Sequence, residues 1–228
     1  TLIANNEKKN IVCIIQARMS STRLPGKSLA LINKIPCIER VIKRVKKSKL
    51  IDDIWVACSN SKSDDILADF VKGLNVNCYR GSINDVLSRY VKVCELTNSN
   101  YIVRVTGDCP LIDSYIIDKV VRKILTTGAD FASNTIKRSF PDGLDVEVFT
   151  SNALMEADYN SKEKFLREHV TPYISGKSSK NFISGEFNRV QVVNKKDYSD
   201  IRLTLDRKED LKLLNLIYKS LNNFCSWR

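Results

Sequence analysis

The order of apolar and polar positions along the chain predicts an alternation of strands and helices. Short runs rich in Val, Ile and Tyr predict strands near residues 11–16, 53–58, 75–79 and 100–106. Between them, apolar residues recur every three to four positions, which is the spacing of an amphipathic helix. Strands and helices in alternation are typical of a mostly parallel sheet flanked by helices. We therefore expect an α/β fold.

Three of the predicted helices have a recognisable start. Apolar residues at helical spacing run from Ile38 to Val45, from Val86 to Cys94 and from Ile116 to Leu125. Their starts are marked, in chain order, by Pro36, by the box-like pair Ser82 and Asp85, and by Asp113. The regular alternation is thus complete by about residue 127.

The pattern changes after Asp130 to shorter strands and turns, including the sequence FPDG at 140–143. A last strand is predicted at 201–205, followed by a helix with Leu213, Leu214, Ile217 and Leu221 on one face. We expect residues 1–10 to be a tail or linker and residues 11–228 to form a single domain. Within that domain we distinguish 11–127, 128–200 and a returning strand and helix at 201–222.

Composition narrows the class of protein. No apolar run approaches the roughly 18 residues of a membrane span, and no signal-peptide core is present, so we expect a cytoplasmic protein without a membrane partner. The formal net charge of +11 fits either a nucleic-acid binder or a protein whose ligand is a polyphosphate. Because no basic stretch is interleaved with aromatic residues, we favour the polyphosphate and expect no nucleic-acid partner.

The seven cysteines and one histidine do not form a metal-binding pattern. No two cysteines stand at the C-x2-4-C spacing of zinc sites, and most lie in apolar runs, where we expect reduced, buried thiols. A metal ion in this protein is therefore expected to have oxygen ligands.

The loop after the first predicted strand is rich in phosphate-binding groups. Residues 16–28, with the sequence QARMSSTRLPGKS, contain three cations and four hydroxyls. Ligands of α/β sheets bind beyond the carboxyl ends of the strands, and backbone N–H groups, hydroxyls and cations there suit phosphate oxygens. The Walker A pattern fails, since Ser21 stands where it requires Gly, and the dinucleotide-binding pattern G-x-G-x-x-G is missing. The alternative is a solvated basic turn.

Two aspartates follow apolar strands and are candidates for a metal site. Asp108 follows the strand near 100–106 and a glycine, and Asp206 follows the strand predicted at 201–205. Two carboxylates at one edge of a sheet can share a Mg²⁺ ion with triphosphate oxygens. For each aspartate taken alone, a helix cap is the alternative. The sequence GDC at 107–109 lacks the Asp-x-Asp pattern of a glycosyltransferase.

These stretches together resemble the cytidylyltransferase family, which includes the enzymes that activate Kdo and sialic acids. The likeness is greatest to the branch typified by spore-coat polysaccharide proteins of the SpsF type. It extends from Ile11 to about Leu221, and the loop at 16–28 is its most specific part. Further stretches that resemble this branch are RGSxxDVL at 80–87, PDGLDVEV at 141–148, REHVTPY at 167–173 and LTLDRKED at 203–210.

The resemblance implies a Rossmann-like nucleotide-diphospho-sugar transferase fold, similar to glycosyltransferase A. It also implies transfer of CMP from CTP to a sugar, sugar acid or small phosphorylated acceptor, with Mg²⁺ as cofactor and pyrophosphate as product. The residues it places around CTP are Ala17, Arg18, Ser21, Arg23 and Lys27, of which Arg23 is an addition of ours. Asp108 and Asp206 would hold the metal, and these two with Arg18 and Lys27 form the predicted catalytic set.

Acceptor binding is predicted for the second half of the chain. Its turns carry polar groups that suit a polyhydroxylated or charged small molecule, namely Asp142, Asp145, Glu147, Arg167 and His169. For His169 we favour a packing or interface role over contact with the acceptor, and the three acids suit turns as well as acceptor hydroxyls. Thr204 stands where sialic-acid enzymes tend to have Asp, and Thr106 where Kdo enzymes have Gln. These two departures leave the identity of the acceptor open. Separately, the sequence is compatible with a homodimer.

Two rival functions remain at this point. A nucleotidyltransferase of the same fold could use another nucleoside triphosphate, and a basic nucleic-acid-binding module without catalysis belongs to a different class. For an enzyme, the acceptor oxygen would attack the α-phosphorus of CTP, and cations such as Arg18 and Lys27 would stabilise the charge on the leaving pyrophosphate.

Overall fold

The computed structural model describes residues 9–176, 185–221 and 226. A seven-stranded sheet runs through the described part in the order β5-β4-β1-β6-β8-β7-β9. Its strands are β1 (Ile11–Gln16), β4 (Asp53–Ser59), β5 (Asn77–Gly81), β6 (Tyr101–Thr106), β7 (Phe131–Ser133), β8 (Glu147–Thr150) and β9 (Arg189–Gln191). All ladders are parallel except the two made by β8. The predicted α/β class with a mostly parallel sheet is confirmed.

Helices cover both faces of this sheet. They are α1 (Cys37–Val45), α2 (Asp65–Gly73), α3 (Val86–Thr97), α4 (Ser114–Thr127), α5 (Ser151–Asn160), α6 (Lys164–His169), α7 (Pro172–Ser175) and α8 (Lys208–Ser220). A small hairpin, β2 (Leu31–Ile32) and β3 (Ile35–Pro36), precedes α1. None of the helices in the described ranges is long and apolar enough to cross a membrane.

The central strand β1 shows why the sheet is buried on both sides. Its side chains alternate between two clusters, with Cys13 and Ile15 facing α1, α2, α4 and α8, and with Val12 and Ile14 facing α3, α5 and α7. A strand covered on both faces needs a continuous apolar run, which is the pattern that the sequence shows at 11–15. The loops at the carboxyl edge of β1, β4 and β6 are therefore held on a fixed support.

The predicted helix starts need one correction. Asp113 accepts a hydrogen bond from the Tyr115 backbone and caps α4 as expected. Ser82 does not cap α3, because the helix begins after Asp85, whose carboxylate accepts the Ser88 N–H. At the C-terminal end, Leu213 is exposed while Leu214 and Tyr218 are the buried residues of α8.

The segment 201–205 is extended but is not a strand of the sheet, contrary to the prediction. It makes one isolated bridge, between Asp142 and Arg202, and otherwise bonds to loops. The Leu203 N–H donates to the carbonyl of Asp142, and the Leu205 N–H donates to that of Asp108 at 2.7 Å. Leu203 and Leu205 pack on the core while Ile201 is exposed, so the segment has the apolar pattern of a strand although its hydrogen-bond partners are turns. Residues 1–8 of the predicted tail and residue 222 lie outside the described residues.

Candidate active site

A cavity of about 220 Å³ opens at the carboxyl edge of β1 and β6. Its wall is formed by the loop 16–28, the first turn of α3, the end of β6 and the end of α6, and Asp206 completes it. All five predicted nucleotide-binding residues line this cavity: Ala17, Arg18, Ser21, Arg23 and Lys27. A basic, hydroxyl-rich loop thus lies where α/β sheets bind their ligands.

The loop 16–28 is folded tightly by its own backbone. The Met19 carbonyl accepts hydrogen bonds from Ser21 N–H and Gly26 N–H, each at 2.9 Å, and the Ser28 hydroxyl donates to the Arg18 carbonyl. Gly26 has φ of +75°, a conformation that favours glycine, and it leads into a short 3-10 helix at Lys27–Leu29. These turns direct Lys27 back toward the end of β6.

Gly107 lets the end of β6 approach the loop closely. Its N–H donates to the Gln16 carbonyl at 2.8 Å, and a Cβ atom added there would lie 2.8 Å from Cβ of Ala17. A larger residue would therefore push the two backbones apart. The glycine brings Asp108 next to Lys27.

Lys27 lies between the two predicted metal ligands. Its Nζ is 2.6 Å from Oδ2 of Asp108 and 3.1 Å from Oδ1 of Asp206. The second oxygen of Asp206 is 2.7 Å from the Arg23 guanidinium, and the Thr106 hydroxyl donates to Asp108 at 2.7 Å. Neither aspartate caps a helix through its side chain, since α8 begins after Arg207 and Asp210 accepts the N–H groups there.

The charges in this cluster fix each other's protonation states. Burial disfavours the charged form of Asp108, but the charge of Lys27 and the hydrogen bonds from Lys27 and Thr106 outweigh it and lower the pKa of Asp108. Burial likewise opposes the charge of Lys27, and the two carboxylates outweigh it and raise its pKa. Two carboxylates at one point of the cavity are a donor set that Mg²⁺ accepts when substrate phosphates supply further oxygens. Among the described residues no group of three or more His, Cys, Asp or Glu could hold a metal without such help.

A second cavity, of about 240 Å³, adjoins the first. Thr106 and His169 line both cavities, so the two meet between β6 and α6. Asp145 and Glu147, two of the residues predicted to bind the acceptor, line the second cavity. A molecule in either cavity is therefore within reach of one in the other.

The two acids of the second cavity are held by arginines. Asp145 makes two hydrogen bonds to Arg138, at 3.1 and 2.8 Å, and burial, only partly offset by that arginine, raises the pKa of Asp145. Oε2 of Glu147 accepts from Arg104 at 2.6 Å and from the Thr171 hydroxyl at 2.9 Å. These contacts fix the carboxylates and leave them able to accept further hydrogen bonds from an acceptor molecule.

His169 ends α6 at the junction of the cavities. Its ring lies 4.5 Å from that of Phe165, centroid to centroid. Val170 follows with φ of +69° and ψ of −60°, and the Thr171 N–H donates to the His169 carbonyl at 2.8 Å, which together form the rare and strained γ-turn. The turn aims His169 toward both cavities and Thr171 toward Glu147.

Two predicted acceptor residues lie outside both cavities. Arg167 binds both oxygens of Asp85, at 2.9 and 2.7 Å, and also Asp158. It therefore links α6 to the start of α3 and to the end of α5. Asp142 bonds to Arg202 at 2.9 Å and holds the segment 201–205. Both residues make ion pairs within the protein, which spacing along the sequence does not reveal, and their part in acceptor binding stays a prediction.

Sequence reasoning missed several residues of the cavities. Arg89 is 1% exposed, lines the first cavity and donates to the Ser82 and Ile83 carbonyls, but its place in an apolar helix face concealed it. Arg104 offered a signal, since it is the one charged residue in the apolar run of β6. Its guanidinium also bonds to Gln16 at 3.3 Å, so it connects the nucleotide loop with Glu147.

Comparison with known proteins agrees with this geometry. A sequence model described as cytidylyltransferase matches residues 12–225. The structure of a cytidylyltransferase from Leptospira borgpetersenii is similar with a TM-score of 0.88 and 34% identity, covering 96% of this chain and 90% of that one.

Two curated relatives extend the comparison. An uncharacterized protein of Methanocaldococcus jannaschii is 39% identical over 206 residues, covering 89% of this chain and 81% of the relative. The spore coat polysaccharide biosynthesis protein SpsF of Bacillus subtilis is 32% identical over 218 residues, covering 92% and 87%. The cavities, the loop and the matched length lead to one conclusion: the chain belongs to the cytidylyltransferase family, on the branch that includes SpsF.

Proposed function

We propose that this enzyme transfers CMP from CTP to a small, sugar-like acceptor for surface polysaccharide synthesis and releases pyrophosphate. The observation that carries the proposal is the meeting of two cavities at Thr106 and His169. One cavity has a cationic, hydroxyl-rich loop and paired carboxylates, and the other has carboxylates fixed by arginines. A triphosphate in the first would present its α-phosphorus to an acceptor in the second.

The residues of the first cavity bind and orient the triphosphate. Arg18 and Arg23 are exposed at its rim, where their guanidinium groups can bind phosphate oxygens in pairs. Lys27 adds an ammonium group whose three donors can reach a phosphate while it stays near the carboxylates. These cations would stabilise the charge that develops on the leaving pyrophosphate.

Asp108 and Asp206 are the residues that would hold Mg²⁺ beside the triphosphate. When bound, the ion supplies neutralising charge to the phosphate oxygens. Asp108 is kept ionised by Lys27 and Thr106, and Asp206 is oriented by Arg23 at 2.7 Å. The protein's part is to present these two oxygens at a fixed separation.

The second cavity suits an acceptor that donates hydrogen bonds. Glu147 and Asp145 are immobilised acceptors, and hydroxyl groups of a sugar are the matching donors. Thr106, which replaces the Gln of Kdo enzymes, lies at the junction of the cavities. This supports an acceptor that differs from Kdo near the attacking oxygen. His169 faces the same junction and would contact the acceptor or its attacking hydroxyl.

A thermal-shift panel of nucleotides tests the proposal. The melting temperature is measured with CTP, UTP, GTP, ATP and a single-stranded RNA, each with and without Mg²⁺. We expect CTP with Mg²⁺ to stabilise the protein more than the other ligands, since only a ligand that binds the folded state raises the melting temperature. A larger response to another nucleotide would favour that triphosphate as substrate, and an equal response to every nucleotide would contradict selectivity for CTP. A response to RNA alone would favour the nucleic-acid-binding alternative.

A further inference from the structure

Asp64 is a fully buried carboxylate behind the nucleotide loop, and it lines neither cavity. It lies at the end of a short 3-10 helix, Lys62–Asp64, that follows β4. Its Oδ1 accepts the Met19 backbone N–H at 2.7 Å. Its Oδ2 accepts both the N–H and the hydroxyl of Ser59, at 2.8 and 2.6 Å. The carboxylate therefore joins the end of β4 to the loop 16–28.

Burying a carboxylate is unfavourable unless hydrogen bonds replace those of water. Asp64 has three such bonds, all from neutral donors, and no salt bridge to it is found among the described residues. If the Met19 N–H moved away, Oδ1 of Asp64 would lose its only donor among the described residues. The buried charge thus favours one position of the Met19 peptide over others.

The backbone of Met19 makes three of the hydrogen bonds that shape the loop. Its N–H binds Asp64, and its carbonyl accepts the N–H groups of Ser21 and Gly26 at 2.9 Å. Arg23 lies in the segment that the Gly26 hydrogen bond closes, and Lys27 follows Gly26 directly. The N–H and the carbonyl belong to the two peptide groups on either side of the Met19 Cα, so a hydrogen bond that holds the N–H restrains the backbone at which the other two bonds begin. It thereby restrains the positions of two cations that face the triphosphate.

From this we infer that Asp64 is a positioning residue, which preorganises the loop for the triphosphate without touching it. The inference rests on the proposed function of that loop. Preorganisation lowers the entropy cost of binding, because the loop need not be ordered when the ligand arrives. Loss of Asp64 should therefore act on CTP binding and not on the acceptor.

Asp118 offers a matched control. It is also a buried aspartate, 5% exposed, and it accepts the Ser48 hydroxyl at 2.5 Å and the Lys49 N–H at 3.2 Å. It anchors the loop before β4, at the amino edge of the sheet, away from both cavities. Asp118 is, like Asp64, a buried carboxylate that accepts hydrogen bonds from neutral donors, but it does not contact the nucleotide loop.

The test compares Asp64→Asn with Asp118→Asn by calorimetry of CTP binding with Mg²⁺ and by thermal unfolding. We expect both variants to melt at a lower temperature. We expect Asp64→Asn to weaken CTP affinity by about tenfold or more, and Asp118→Asn by less than about twofold, since hydrogen bonds to a charged group are among the stronger ones. In turnover, KM for CTP should rise while KM for the acceptor stays constant. Equal CTP affinity of the two variants would overturn the inference.

A second measurement covers the case in which Asp64→Asn does not fold. Amide hydrogen exchange of the unaltered, nucleotide-free protein should show the Met19 N–H protected to the same degree as strand β4. Rapid exchange at Met19 would mean that the loop is not preorganised and would overturn the inference. If the unaltered protein bound no CTP, the proposed function would fail instead, so the two failures are distinguishable.

Discussion

At the scale of residues, the proposed function depends most on the paired carboxylates Asp108 and Asp206. Asparagine at either position keeps the shape of the side chain but removes a charge from the proposed Mg²⁺ site. We expect Asp108→Asn and Asp206→Asn to fold and to lose nearly all turnover, measured as pyrophosphate release. If both variants kept more than about a tenth of the wild-type rate, a barrier change below about 1.4 kcal/mol, the assignment would be wrong.

Lys27 gives a prediction on pH. The lowered pKa of Asp108 means that its contribution to stability is present above its unfolded pKa and is lost as pH falls through the folded value. The raised pKa of Lys27 means that its contribution is complete below its unfolded pKa and is lost only as pH rises through the folded value. Across neutral pH, both groups are charged and stabilise each other.

Lys27→Met should therefore lower stability by about 2 kcal/mol at pH 7, because it leaves two partly buried carboxylates without their cation. The loss should shrink at pH 4, where the carboxylates of the variant can take up a proton. Urea unfolding at the two pH values, without divalent ions, measures this. A loss of the same size at both values would show that the ion pair does not contribute in the way described.

Asp145 and Arg167 separate acceptor binding from packing. Asp145 lines the second cavity, whereas Arg167 clamps Asp85 and Asp158. We expect Asp145→Ala to raise KM for the acceptor with little effect on CTP affinity. Arg167→Ala should lower the melting temperature and leave the acceptor's KM nearly unchanged. The reverse pattern would show that Arg167 binds the acceptor, as the sequence predicts.

All five residues predicted to bind the nucleotide line one cavity, whereas only three of the five predicted acceptor residues, Asp145, Glu147 and His169, line the other. Arg18, Lys27 and Asp108 stand in continuous motifs at strand ends, where position in the chain determines position at the sheet edge. Neither Arg167 nor Arg138 stands at the end of a strand, and their partners lie on other elements or turns, at Asp85 and Asp145. Spacing alone cannot show which of two arginines faces a cavity.

At the scale of elements, the segment 201–205 and the turn at 141–143 act as one unit. Gly143 has φ of +106°, and a Cβ there would lie 2.7 Å from the carbonyl carbon of Leu203. Gly128 also has positive φ, +65°, but a Cβ there would meet no atom within 4 Å. Alanine variants at these two glycines therefore separate the effect of backbone strain from the effect of a steric clash.

We expect Gly128→Ala to cost about 1 kcal/mol of stability and to leave turnover unchanged. Gly143→Ala should cost more and also lower turnover, because the displaced segment ends at Asp206. Urea unfolding and pyrophosphate release measure the two effects. Equal behaviour of the variants would show that the turn does not position Asp206.

The same elements show where sequence patterns stop. The strand β1 was predicted with its observed bounds because burial on both faces demands a continuous apolar run. The segment 201–205 has a similar apolar pattern, but a pattern reports burial and not the hydrogen-bond partner. The short strands β7 and β9 were not located, since three residues give too little periodicity.

At the scale of the whole molecule, the nucleotide and acceptor cavities share walls, because single elements line both of them. The division of the chain at residue 127 remains a prediction, and the cavities show how it is bridged. Thr106 on β6 and His169 on α6 belong to both cavities, and Asp206 returns from the far end of the chain to the first. A two-substrate reaction requires such shared walls, since both substrates must meet.

In the proposed reaction, an oxygen of the acceptor attacks the α-phosphorus of CTP and pyrophosphate leaves. CTP labelled with ³²P at either the α- or the γ-phosphate, incubated with Mg²⁺ and a panel of sugars, sugar acids and sugar phosphates, tests it directly. We predict that for a true acceptor the α-label moves into a CMP conjugate and the γ-label into pyrophosphate. Transfer of the γ-label to the acceptor, or its release as orthophosphate with the α-label left in CDP, would contradict the account.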